Sequence, residues 1–317
     1  MTWLSWRQQR TETVITAGLL AVLAAAFVPE GIHIARLFAQ QGIGRCIGKD
    51  TVACHEAMST FGSRAGFLAF GFSGWFNLLP GLLGVALAVP LVSDLENGTI
   101  RFAWTQSVTR RRWLATKLAM ALTTALAAGL AVTLLFTWYR TPLDTAFGRL
   151  DSSAFDFEGT VPLAYFLFAL SVALAVGVVW RRTAPAMVVA FAAYVGPRLF
   201  FDTWVRPRLL TPLSATWGFG RPGPRLDRAL IIFEGPSDKS GHAFTGNSRV
   251  LETCSKGVHK GQAFDPHCLI AHGAGFNHAV WQPASRFWEF QGIETALFGG
   301  VALLLIAFAA WRVLRLD

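Results

Sequence analysis

Apolar residues run in long unbroken blocks along this chain, and the charges fall between the blocks. Six blocks stand out, at roughly 13–35, 66–92, 113–139, 161–180, 184–201 and 292–311. A helix needs about 20 apolar residues to cross a hydrocarbon layer roughly 30 Å thick, so each block predicts a membrane-spanning helix. The first reads VITAGLLAVLAAAFV and continues as helix-compatible sequence from Glu30 to Phe38. The second contains Pro80 and Pro90. Each proline leaves a carbonyl without its helical donor, which predicts a kink. Only Arg181, Arg182 and Thr183 separate the fourth block from the fifth, so those two form a tight hairpin. Arg7 and Arg10 precede the first block as in a secretory leader, but no small-x-small cleavage site follows, and the block reads as a span.

Composition agrees with this pattern. The 317 residues are 53% hydrophobic and only 15% charged, with a mean hydropathy of +0.43. A soluble domain carries nearer a quarter charged residues because water must wet its surface. The net charge of +9 would suggest nucleic acid in a soluble protein, but no basic run here is interleaved with stacking aromatics in a recognisable module.

Lysine and arginine set the orientation. The segments 1–12, 93–117, 181–182 and 312–317 hold 11 basic residues in 45 positions, whereas the loops 29–65 and 140–160 hold 6 in 58. Both termini are therefore expected inside. The long segment 202–288 carries 10 more, but segments of that length translocate largely regardless of charge. All four cysteines, Cys46, Cys54, Cys254 and Cys268, fall in segments that the charge rule places outside. An oxidising exterior permits disulfides, and the local pairs Cys46–Cys54 and Cys254–Cys268 are the simplest of three connectivities. Segment 202–288 is rich in Gly, Pro and His with short apolar strips such as Ala229 to Phe233, which predicts irregular structure or short strands in a small extracytoplasmic insertion.

The chemistry readable from the sequence is sparse. The nearest approach to a phosphate-binding loop runs from Gly42 to Gly48-Lys49-Asp50; its spacing is one residue too long, and Asp50 stands where a magnesium-binding hydroxyl belongs. No nucleotide site is expected, so ATP and magnesium must belong to another chain. His259, His267, His272 and His278 lie near Cys254 and Cys268, but their spacing fits no common zinc site, and no metal is expected. Inside the spans, Asn77, Ser171 and the pair Arg198 with Asp202 are the main polar residues, the last two spaced to pair with each other. So few ionisable groups argue against an ion-coupled carrier and against a hydrolase within the bilayer.

The most specific stretch is the cytoplasmic segment Asp94-Leu-Glu-Asn-Gly-Thr-Ile-Arg-Phe-Ala-Trp-Thr-Gln-Ser-Val-Thr-Arg-Arg-Arg-Trp-Leu-Ala-Thr-Lys117. Two acids close the second span, Gly98 allows a sharp turn, and a short helix is expected from Thr99 to Ser107. Thr109 is placed to cap the third span, flanked by Arg110, Arg111, Arg112 and an interfacial Trp113. The segment resembles the one that bacterial ABC-2-type transporter permeases carry between their second and third helices. The matching residues are Glu96, Gly98, Thr99, Arg101, Trp104, Thr105, Gln106, Ser107, Val108, Thr109, Arg110, Arg112, Trp113 and Lys117. The opening Trp3-Leu-Ser-Trp6-Arg7-Gln-Gln-Arg10 is similar to the start of many actinobacterial members, with Gln9 where histidine is usual, and Arg206 to Leu213 is similar to their run after the fifth span.

The resemblance implies an all-α membrane protein of six helices with both ends inside, an ABC-2 (type V exporter-like) bundle with the small insertion before the last helix. It implies four regions: 1–12, a cytoplasmic interfacial amphipathic segment; 13–201, helices one to five, with a coupling loop at 93–112; 202–288, the extracytoplasmic insertion; and 289–317, helix six and tail. It further implies a permease of an export-type transporter that works as a homodimer or heterodimer with a separate ATPase subunit. Asp94, Glu96, Gly98, Thr99, Arg101, Trp104, Gln106 and Arg110 would meet that subunit, and Trp3, Trp6, Arg7 and Arg10 would anchor the N-terminal helix at the bacterial plasma membrane surface. That anchoring also suits the preference of Trp for headgroup level and of Arg for lipid phosphates. The alternatives are a membrane enzyme using His267 and His272 on the outer loop, and a non-catalytic scaffold or sensor with an ectodomain. The cargo is not legible.

Overall fold

In the computed structural model, residues 2–49, 51–65, 77–98, 109–243, 248–255 and 264–315 are described, and of residues 1–9, 152–153 and 248–249 no side chain is. The chain is α1 (Thr2–Gln40), α2 (Val52–Arg64), α3 (Leu79–Ala86), α4 (Val89–Glu96), α5 (Arg110–Phe147), α6 (Ser152–Phe155), α7 (Val161–Trp180), α8 (Thr183–Phe200), β1 (Leu213–Gly218), β2 (Leu230–Ser237), α9 (Ser248–Ser255), α10 (Pro266–Ala271), β3 (Phe276–Gln282) and α11 (Phe287–Leu314). Among the described residues, six helical stretches are long and apolar enough to cross a membrane: Arg10–Gln40, Leu79–Glu96, Arg110–Phe147, Val161–Trp180, Thr183–Arg208 and Ala284–Leu314. This is the six-helix bundle that the apolar blocks predict, with several helices reaching past their blocks.

The chain divides into two compact units. The first, Met1–Asp202 with Phe287–Asp317, contains the bundle. Its centre is α7, apolar all round and the most buried of the six. It packs against α11, α3, α8 and α5, while α1 lies along α5. A helix apolar on every side belongs at the centre of a bundle. Gly84 permits the approach of α3 to α7: a Cβ there would sit 2.6 Å from that of Ala169 and 2.9 Å from the Phe166 carbonyl.

The second span is interrupted as its prolines predict. Pro80 and Pro90 each occupy the first turn of a separate helix, and the backbone turns at Leu87–Ala88 between them. A proline in a first turn removes a donor that had no helical partner to lose. The amphipathic N-terminal stretch is continuous with the first span, one helix from Thr2 to Gln40 with Pro29 inside it. The side chains of Trp3, Trp6 and Arg7 lie outside the described residues, whereas Arg10 is described and exposed.

On the side of this unit that the charge pattern predicts to be outside, the Cys46–Cys54 disulfide, Cα–Cα 5.2 Å, ties the turn after α1 to the start of α2. Ile43, Phe61, Phe27, Phe136 and Tyr139 form one buried apolar cluster with their neighbours there.

The second unit is Thr203–Arg286. It holds a three-stranded antiparallel sheet in the order β1-β3-β2, with a bulge in β2 between Ile231 and Phe233. The apolar strip at 229–233 supplies the start of β2. A second disulfide, Cys254–Cys268 at Cα–Cα 5.5 Å, joins α9 to α10 over a small cluster containing Leu269, Ala274 and Phe264. Both disulfides are the local pairs. Buried Gln282 donates from Nε2 to the carbonyls of Pro207 and Leu210, and Arg286 donates to Thr211 O and Gln282 Oε1, so the two ends of the unit are stitched together.

Candidate functional site

Two polar constellations stand at opposite ends of the bundle. The one expected on the cytoplasmic side begins with Asp94, near the end of α4, whose carboxylate lies 2.8 Å from Lys117 Nζ on α5. Lys117 is only 1% exposed. Two residues on, Glu96 Oε2 accepts the backbone N–H of Thr183 at 2.8 Å. Thr183 is the first residue of α8, so Glu96 caps that helix from another element and sets a negative charge at its positive end. Gly98 follows in the left-handed conformation, φ 68°, where a Cβ is strained. At the far side of the segment, Thr109 Oγ1 accepts the Arg112 N–H and starts α5 as the sequence predicts. Arg110 is half-buried in the first turn.

The sequence-derived coupling residues thus divide into three sets. Asp94 and Glu96 are internal struts that fasten α4 to α5 and α8. Gly98 and Arg110 flank the segment they bracket. Thr99, Arg101, Trp104 and Gln106, together with the short helix expected from Thr99 to Ser107, lie outside the described residues.

The outer constellation is larger and mostly buried. Arg198, on α8, directs Nη2 to Asp156 Oδ2 at 2.9 Å and Nη1 to Glu294 Oε1 at 3.5 Å. The same Nη1 donates to Tyr165 Oη at 2.6 Å. Tyr165 on α7 donates in turn to Glu294 on α11. Beside this group, Arg140 Nε on α5 lies 3.2 Å from Asp144 Oδ1 and 3.9 Å from Glu158 Oε1. Arg149 Nε meets Glu158 Oε2 at 2.8 Å, and its guanidinium stacks over Phe287 at 4.0 Å. Gln291 of α11 completes the set. Its Oε1 accepts the N–H groups of both Thr160 and Val161 at 3.0 Å, and its Nε2 donates to Phe155 O at 3.0 Å. A single amide thereby satisfies two orphan donors at the start of α7.

This constellation corrects the view that the spans hold almost no ionisable groups. Arg140, Asp144 and Glu294 are buried within helices long enough to cross a membrane. The reason is partly one of helix length: α5 continues to Phe147, beyond the apolar block that ends near 139. Glu294 was missed although it lies inside the sixth block, because one acid in a run of apolar residues leaves the hydropathy almost unchanged. The partners of Arg198 also come from Asp156, Tyr165 and Glu294, far from the neighbouring Asp202 in sequence.

In the second unit, Cys254, Cys268 and His272 lie close enough together to be considered as ligands. The two sulfurs are bonded to each other, which removes both thiolates, and His272 Nδ1 is within 2.8 Å of the Cys268 carbonyl oxygen. A metal site does not fit that chemistry. Asp238, Ser240 and His242 are also in contact, but Ser240 Oγ bonds both Asp238 Oδ1 and His242 Nδ1 within one exposed turn. A hydrolytic relay needs the carboxylate and the hydroxyl on different ring nitrogens.

Residues 17–206, more than half of the chain, match the family described as ABC-2 membrane transporter related. No curated protein and no solved structure matches the chain. With six helices of spanning length and composition beside that match, the chain belongs to the ABC-2 membrane transporter related family and is a multi-pass membrane subunit of an ABC transporter.

Proposed function

We propose that this chain is the permease subunit of an exporter, driven by ATP hydrolysis in a separate ATPase subunit that docks on the cytoplasmic segment between α4 and α5. The observation that carries this reading is how that segment is anchored. Asp94 is paired with Lys117, and Glu96 is bonded to Thr183. A force applied between residues 98 and 109 therefore acts on α4, α5 and α8 together, instead of dissipating in a loose loop. No nucleotide-binding element is part of this reading: ATP and magnesium are held by the partner.

The outer constellation is the other half of the device. It ties α8 to α7, to α11 and to the loop before α7, which Arg140 of α5 also approaches, at the end of the bundle opposite the docking segment. We assign it as the closed outer gate, opened when two permease subunits rock under the ATPase pair. Trp3, Trp6, Arg7 and Arg10 hold the cytoplasmic start of α1 at the headgroups of a bacterial plasma membrane, and the 203–286 unit lies outside.

The test is reconstitution with the ATPase subunit. Glu96→Ala and Arg101→Glu are expected to abolish stimulation of ATPase activity or copurification, while the variant proteins remain monodisperse and helical. Unchanged copurification and stimulation in both variants would overturn the docking assignment.

A further inference from the structure

A shallow apolar groove opens where the cytoplasmic ends of three helices meet. Ala175, Val176, Val179 and Trp180 of α7, Val189 of α8 and Phe308 of α11 line it, around a volume of about 300 Å³. Its walls are almost wholly apolar. Trp180, Val179 and Phe308 are substantially exposed among the described residues.

The rim has the opposite character. Arg181 follows Trp180 directly and is held in the left-handed conformation, φ 53°, where its N–H closes the end of α7 on the Gly177 carbonyl. A non-glycine residue in that region is uncommon, and here the hairpin between α7 and α8 fixes it beside the groove. Arg312 lies four residues beyond Phe308 on α11, which puts it on the same helix face one turn nearer the cytoplasm. Arg315 stacks on Trp311 at 4.6 Å in the same region. Arg182 lies beside Glu96, whose carboxylate offsets it. Arg181 and Arg312 are exposed and supply the positive charge at this rim.

An apolar trough with one exposed arginine directly after Trp180 and another one turn beyond Phe308 complements a lipid with an anionic head. Arginine meets phosphate through paired N–H donors, and an acyl chain excludes water from the wall. We propose that this groove is a binding site for an anionic phospholipid of the cytoplasmic leaflet, with one acyl chain along Val176, Val179 and Phe308 and the phosphate between Arg181 and Arg312. A lipid seated there touches α7, α8 and α11 together, the same helices that Arg198, Tyr165 and Glu294 join at the outer end. Its presence would therefore bias how those three helices pack.

The probe is phosphatidylglycerol, compared with phosphatidylcholine, on the full-length protein. Phosphatidylglycerol is expected to survive detergent exchange in native mass spectra at least tenfold better than phosphatidylcholine. A diazirine-bearing acyl chain on phosphatidylglycerol should label the wild-type protein within 175–189 or near Phe308. The double variant Arg181→Asn with Arg312→Gln should lose the preference between the two lipids. Asparagine is chosen because it tolerates the left-handed backbone. Val179→Trp, which fills the trough at an exposed position, should lose retention with both arginines intact. Equal retention of the two lipids by the wild type, or labelling spread over other helices, overturns the proposal. Because the labelling uses the unaltered chain, a variant that fails to fold does not rescue the idea.

Discussion

Lys117 of α5 places its ammonium 2.8 Å from the carboxylate of Asp94 on α4, with the lysine almost wholly removed from water. Desolvating an ammonium is costly, and a close counter-ion offsets that cost only while both partners remain. Removing one partner alone leaves a buried charge. Asp94→Asn is therefore expected to destabilise the bundle by about 3 kcal/mol, and Lys117→Met by less, because Asp94 retains some access to water. The double variant should recover much of the loss, read as thermal stability in detergent. Two single losses that simply add would show that the pair is not coupled.

Arg198 joins three elements through Asp156, Tyr165 and Glu294. If this constellation is the outer gate, weakening it should favour opening. Glu294→Gln keeps the shape but removes a charge, so Arg198 is less firmly held. The expected result is faster labelling of a cysteine introduced at Phe298, one turn deeper on α11, by a membrane-impermeant thiol reagent. Basal ATPase activity of the reconstituted complex should rise by a few-fold as transport loses coupling. Labelling at the wild-type rate would remove the gate assignment.

The bundle could be read from the chain because lipid demands long apolar helices, and charge asymmetry and cysteine placement agree on their direction. The proline interruption at Pro80 and Pro90 and the Thr109 cap were likewise local signals. The outer constellation was not local. Asp156 and Glu158 lie in a loop, where acids ordinarily face water, and nothing in their spacing says that Arg198 and Arg149 will cover them. Gln291 caps the start of α7 across 130 residues of sequence, a relationship that only the packing of α11 on α7 creates. On the cytoplasmic side, Asp94 and Glu96 were legible as special but not as struts, since Lys117 reads as one more inside cation and Thr183 acts through its backbone.

Gln291 should be intolerant of change. Gln291→Leu preserves the volume, but leaves the Thr160 and Val161 N–H groups and the Phe155 carbonyl without their partner inside the bundle. Each unsatisfied buried group costs about 1–3 kcal/mol, so the variant should lose most of its melting temperature margin. Gln291→Glu keeps the acceptor for Thr160 and Val161 and is expected to retain the α7 cap, while its second oxygen faces the Phe155 carbonyl and its buried charge lowers overall stability. Hydrogen exchange at Val161 separates the two: fast in the leucine variant, protected in the glutamate variant. Equal protection in both would show that Gln291 does not hold the start of α7.

The two disulfides should differ in what they protect. Cys254–Cys268 closes a stretch of 14 residues, for which chain entropy suggests a contribution of about 3 kcal/mol. Cys254→Ser with Cys268→Ser should raise protease cleavage within 248–272 and leave the bundle's melting transition in place. Cys46→Ser with Cys54→Ser acts on the first unit, and should loosen the turn after α1 without affecting cleavage at 248–272. Loss of both regions in either variant would mean that the effects are not confined to the unit holding the bond.

Acid should open the turn at 238–242 late. The Asp238 carboxylate accepts bonds from the Ser240 hydroxyl and from the backbone N–H groups of His242 and Ser240. The hydroxyl bond first, and then the backbone donors, hold its pKa below the ordinary value of 3.8. A carboxyl group with a lowered pKa in the folded chain stabilises that fold above its unfolded value, and the contribution is lost as pH falls through the folded one. The turn is therefore expected to stay intact from neutral pH down to about pH 4, the ordinary aspartate range, and to open only below it. Hydrogen-exchange protection of Ser240 and His242, corrected for the intrinsic pH dependence of exchange, measures this directly. Protection that disappears well above pH 4 would show that the Asp238 carboxylate does not hold the turn.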